Sequence, residues 1–129
     1  MLKLVSNSIV PKALFTKPQQ VECVITYRHH YLVFVTYNSP FEEQLDICYY
    51  NKSWVLLDEV ALYHIYSPGL FRLIHTSENS VVFEFWPGVN TRLEILPAFK
   101  IQFFTATGVH YTKPLARHAL KIKHLEQAV

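Results

Sequence analysis

Val81-Val82-Phe83-Glu84-Phe85-Trp86-Pro87-Gly88-Val89-Asn90-Thr91-Arg92-Leu93-Glu94-Ile95-Leu96 is the stretch that decides the fold class. Val81, Phe83 and Phe85 fall on one parity, Val82, Glu84 and Trp86 on the other. After Pro87-Gly88-Val89-Asn90 the rhythm resumes, with Leu93 and Ile95 set against Arg92 and Glu94. Successive side chains of a strand point to opposite faces, so a period of two marks a sheet with one buried side. The segment therefore reads as two strands of a hairpin.

The same alternation extends outward in both directions. Val21 to Tyr27 and Tyr31 to Tyr37 form a second hairpin, although its turn, Arg28-His29-His30, lacks the glycine that two-residue turns favour. Leu45 to Tyr50 reads as a strand ending at Asn51-Lys52-Ser53. Trp54 to Tyr66 reads two ways: Asp58-Glu59 suits the start of a short helix, while the aromatic and branched residues favour a strand. Leu70 to Thr76 pairs with Val81 to Trp86. Pro97 ends the strand Thr91 to Leu96, and Lys100 to Thr105 follows as another, with Val109 to Tyr111 as a last short one.

Residues 115–127 read as a helix. Thr112 is a plausible N-cap, and Pro114 is tolerated in a first turn. Leu115, Ala119, Ile122 and Glu126 share one face, and Arg117, Lys121 and His124 share another. The expected fold is thus α+β and mostly β. It is an antiparallel meander or small open barrel of about seven to nine short strands with one C-terminal helix. Residues 1–20, interrupted by Pro11 and Pro18, read as an N-terminal arm that is barred from a central strand. Residues 21–129 form the single domain.

Composition supports one core and little more. Half of the 129 residues are hydrophobic and 15% are aromatic, enough for a domain that folds without disulfide or metal. No apolar run approaches the roughly 20 residues that span a bilayer. The first residues lack a signal-peptide core, so a cytoplasmic protein without membrane contact is expected. Cys23 and Cys48 are expected as free thiols, with a disulfide open only in an oxidising compartment. The net charge of +2 hides an asymmetry. Lys3, Lys12 and Lys17 open the chain and five basic residues from Lys100 to Lys123 close it, while nearly all the acids lie between. Such ends suit nucleic acid, or an acidic body in the same chain or a second copy.

Chemistry is sparsely marked. Seven histidines show no metal-ligand spacing, so neither metal nor cofactor is expected. Gly69, Gly88 and Gly108 each sit in a turn, which leaves no phosphate loop, and no nucleophile elbow is present. No catalytic residues are assigned. Should a ligand or enzymatic pocket exist, His64, His75 and Tyr63 are its polar candidates, with Glu84 able to orient a histidine. Lys113, Arg117, Lys121, Lys123 and His124 form a basic stripe, the best nucleic-acid candidate. The stretches Phe83 to Trp86 and Ile101 to Phe104 are apolar on both faces. Phe83, Phe85, Trp86, Phe103 and Phe104 are therefore the expected interface of a homo-oligomer, most simply a dimer. The expected function is a non-enzymatic interaction module that self-associates through an aromatic sheet face. The alternatives are nucleic-acid binding and a small-ligand β-barrel pocket.

Overall fold

The computed structural model describes residues 2–15, 19–38, 43–64, 69–102, 105–113 and 116–125. Among them ten strands form two sheets: β1 Lys3–Val5, β2 Gln20–Tyr27, β3 His30–Asn38, β4 Glu43–Tyr50, β5 Leu56–Leu62, β6 Arg72–Thr76, β7 Ser80–Glu84, β8 Asn90–Ile101, β9 Val109–Tyr111 and β10 Arg117–His124. The larger sheet has the order β1-β2-β3-β4-β5-β9, and the smaller β10-β8-β7-β6. Every pairing is antiparallel. The sheets do not close into a barrel. They share one core, because Ile25, Leu32, Phe34, Leu45 and Ile47 of the larger sheet cluster with Val81, Phe83, Leu93, Ile95 and Leu120 of the smaller. Phe34 meets Phe83 edge-on at 5.5 Å between ring centroids. Burying such a side chain contributes about 1.5–3 kcal/mol.

Alternation locates these strands well, and the described part of the 54–66 stretch holds strand β5, with residues 65–66 outside the described residues. Its buried residues, Asp58, Val60 and Leu62, have the spacing of a strand. The expected C-terminal helix does not form, and the described residues contain no α-helix. Arg117–His124 is an edge strand pairing with β8 from His124↔Thr91 to Arg117↔Ile101. The apolar spacing Ala119, Ile122 suits a helix, but Leu120 and Ile122 are buried while Lys121 and Lys123 are exposed. That period of two prevails because the smaller sheet needs an apolar strand beside Leu93 and Ile95. Leu115 and residues 126–127 lie outside the described residues.

Pro97 does not end its strand either: β8 runs through it. The pairing with β7 ends at Glu94, and the register with β10 shifts between Ile95 and Lys100. Pro97 falls in that gap, where no ladder bond needs its missing N–H. The hairpin from Tyr27 to His30 uses a two-residue turn after all. Arg28 and His29 adopt φ of 47° and 65°, the left-handed pair that such a turn requires.

The arm covers the outer face of its own sheet. β1 adds to the edge as a partner of β2, and a single 3-10 turn follows at Asn7–Ile9. Val10, Leu14 and Phe15 then pack on a second apolar cluster of Val24, Val33, Val35, Cys48 and Tyr50. Cys23 belongs to the core between the sheets and Cys48 to this outer cluster, and both are free thiols. No helix among the described residues is long and apolar enough to cross a membrane.

Candidate functional site

Strand parity builds a trough on the outer face of the larger sheet. Gln44, Asp46, Cys48 and Tyr50 share one parity of β4, and Cys48 stands opposite Glu59 of β5. The arm supplies Leu14 and Phe15 as one wall, with Tyr37 of β3 beside them, and Trp54 and Leu56 line the same space. The trough is open to solvent along one side and has a volume of about 590 Å³. A second hollow of about 430 Å³ shares Gln44, Asp46 and Glu59 and extends to Tyr63, His110 and Thr112.

Trp54 is held there by a strained turn. Its φ of 62° lies in the left-handed region, where a bulky side chain is rarely found. Asn51 stabilises the turn, its Oδ1 accepting hydrogen bonds from the backbone N–H of Ser53 at 2.9 Å and Val55 at 3.0 Å. The indole stacks on Tyr31 at 4.2 Å between centroids and leans on Tyr50 at 5.5 Å. Strain of this kind costs on the order of 1–3 kcal/mol and clusters at functional sites.

The floor is acidic. Gln44 Nε2 donates to Asp46 Oδ1 at 2.7 Å, and Thr112 Oγ1 donates to Glu59 Oε1 at 2.8 Å. Cys48 Sγ donates to Glu59 Oε2 at 3.8 Å. Burial first, and then the nearby Glu59 and Asp46 carboxylates, push the Cys48 thiol far up. Burial and the charge of Asp46 push Tyr37 up to about 12, and Tyr50 rises still further, chiefly through burial. Cys48 thus stays a protonated thiol at neutral pH, which removes it as a nucleophile. The trough disfavours added negative charge. It offers aromatic faces and carboxylate oxygens, a combination suited to a cation.

The sequence-derived pocket residues do not converge. Tyr63 stacks on His110 at 4.1 Å and opens to the trough side. His64 leans on Trp86 at 4.8 Å, close against Gly108. His75 lies on the smaller sheet opposite Val82. The basic residues divide as well. Lys121 and Lys123 are exposed on β10, and Lys123, Arg92, Val82 and His75 stand in one cross-strand row. Lys113 and Arg117 lie apart, beside a small cavity at the edge of the sandwich. His124 uses both ring nitrogens internally: Nε2 donates to the Thr107 carbonyl at 2.8 Å, and Nδ1 accepts from Thr91 Oγ1 at 3.0 Å.

Phe83, Phe85 and Trp86 are buried in the chain's own core, so they are not on an outer face. Phe103 and Phe104 lie outside the described residues. No group of three or more histidine, cysteine, aspartate or glutamate residues able to hold a metal occurs among the described residues.

Sequence reading missed Asp46, Glu59 and Trp54. Asp46 and Glu59 converge only through the β4–β5 register, and the one available signal was the shared parity of Gln44, Asp46, Cys48 and Tyr50. Comparison with protein-family models, with curated proteins and with solved structures finds no match to this chain.

Proposed function

We propose that this protein is a non-enzymatic binding module whose recognition surface is the trough, and that the trough takes a basic segment of a protein partner. The observation that carries the reading is that Asp46 and Glu59 line one hollow together with the aromatic side chains of Tyr37, Tyr50 and Trp54. A lysine or arginine side chain meets carboxylate oxygens at its head and aromatic faces along its stem. Titration with an oligo-arginine peptide, and with an oligo-glutamate peptide as control, tests it. The basic peptide should bind, and Asp46→Asn with Glu59→Gln should weaken binding at least tenfold. Equal affinity for both peptides, or for both proteins, would end this reading.

Self-association belongs to the same proposal, through a different surface from Phe83 to Trp86. The last residues of β8 have no strand beside them on the β7 side among the described residues. There Phe99 is 42% and Ile101 44% exposed. An open strand edge carrying apolar side chains is a template for pairing with a second copy. Light scattering at micromolar concentration should report a dimer that Phe99→Glu dissociates.

A second reading, nucleic-acid binding, is favoured by the row of Lys123, Arg92 and His75 across the outer face of the smaller sheet. Glu94 and Glu84 border that row and weaken its field. Oligonucleotide binding that falls steeply with salt and is lost in Arg92→Glu would support it.

A further inference from the structure

The polar groups of the trough are engaged with one another. Gln44 Nε2 and the Tyr37 hydroxyl both hydrogen-bond Asp46. The Tyr50 hydroxyl bonds Cys48, the Cys48 thiol donates to Glu59 Oε2, and Thr112 Oγ1 donates to Glu59 Oε1. The chain's own donors thus hold both carboxylates in place. Among the described residues no lysine or arginine lines the trough, so the lining keeps a negative character. Its aromatic members are Phe15, Tyr37, Tyr50 and Trp54. The Trp54 and Tyr50 ring planes stand 56° apart, with centroids 5.5 Å from each other, so they form a corner and not one flat surface. Tyr31 stacks on the indole within 2° of parallel and fixes its orientation.

We propose that the cation this trough selects is a methylated lysine, the trimethyl form above all, carried by the basic segment of its partner. The inference rests on the reading of the trough as the seat of such a segment, and it names the side chain. A lysine ammonium carries three N–H donors, and each needs an acceptor once water is displaced. A trimethylammonium keeps the charge and has no donor to satisfy. Negative charge and aromatic rings suffice to hold it, through the attraction between a cation and the ring quadrupole. In this lining the carboxylates already accept from Gln44, Tyr37, Cys48 and Thr112, and the remaining surface is largely aromatic and aliphatic. Such a surface favours a cation without donors over an ammonium or a guanidinium fork. Size agrees. A hollow of about 590 Å³ takes a lysine-length side chain with the backbone that carries it. Rings already fixed, as Trp54 is by Tyr31, lose little freedom on binding.

The test is calorimetric titration of the unaltered protein with four ligands. Three are Gly-Ser peptides that differ only in one central side chain: lysine, trimethyl-lysine, or the neutral isostere in which a tert-butyl group replaces the trimethylammonium. The fourth is choline. The trimethyl-lysine peptide should bind at least tenfold more tightly than each of the others. Trp54→Asn, which suits the left-handed backbone there and removes the indole, should erase the preference for the methylated peptide. Lysine and trimethyl-lysine peptides of equal affinity would overturn the proposal and leave the basic-segment reading standing. So would failure of both while an oligo-arginine peptide binds. A tert-butyl peptide as tight as the cationic one would overturn it by showing an apolar site, and choline as tight as the peptide by showing a small-molecule site. Should the oligo-arginine peptide fail as well, the basic-segment reading falls and this inference with it.

Discussion

The Asp58 carboxylate and the His118 imidazole join the two sheets at one edge, 2.8 Å apart and both buried. The register of β10 shifts between His118 and Leu120, and the shift frees the N–H groups of Ala119 and Leu120 from the ladder. Asp58 Oδ2 takes both, at 2.9 and 3.0 Å. One carboxylate thus satisfies the bulge, orients the histidine and ties β5 to β10. Tyr111 reinforces the joint, stacking on His118 at 3.9 Å and donating its hydroxyl to the Leu120 carbonyl at 2.6 Å. Asp58→Ala leaves these donors without an acceptor. It should cost about 3 kcal/mol or more in urea unfolding, because each buried donor left without an acceptor costs roughly 1–3 kcal/mol. A loss under about 1 kcal/mol would contradict this account.

The hairpin turn at Arg28 and His29 holds two side-chain-bearing residues at positive φ. Replacing them together by Asn-Gly, the pair suited to such a turn, should raise stability by about 1–2 kcal/mol. Thermal unfolding of the double variant is the check, and no gain would show that the turn is not strained.

Gly108 has φ of +79°, and a Cβ there would lie 2.5 Å from the Trp86 ring and 2.7 Å from His64 Nε2. Gly108→Ala combines backbone strain with a clash against the core. It should destabilise by about 2 kcal/mol or more, measured in the same unfolding assay.

Stability should fall in alkaline solution. Burial pushes Cys23 from 9.0 up to about 12, and burial with the Asp46 charge pushes Tyr37 from 10.0 up to about 12. For an acid whose folded value is raised, the neutral form is favoured by folding. The contribution is complete below the unfolded value. It is lost as pH rises from about 9 toward 12, because the unfolded chain ionises first. Urea unfolding at pH 8 and at about pH 11 should show the decline, and a flat profile would contradict it.

Much of the fold was legible because a half-buried strand writes its parity into neighbouring residues. Val81 to Ile95 and Val21 to Tyr37 did so. The C-terminal strand was not, since Leu115, Ala119 and Ile122 fit a helical stripe as well as Leu120 and Ile122 fit a strand. The neighbouring strand chose between them. The sites were less legible still. Asp58 and His118 are 60 residues apart in sequence and meet only when the sheets pack. Asp58-Glu59 resembled a helix start because local charge carries no record of its distant partner.

The central claim is that the outer face of the larger sheet prefers a cationic partner. Trp54 lines the trough while Trp86 lies in the core, so Trp54 fluorescence in a Trp86→Phe background reports the trough directly. Titration with an oligo-arginine peptide should change that emission saturably, and Asp46→Asn with Glu59→Gln should abolish the change at the same concentrations. Emission unaffected by the peptide, or affected equally in the charge-neutral variant, would contradict the claim.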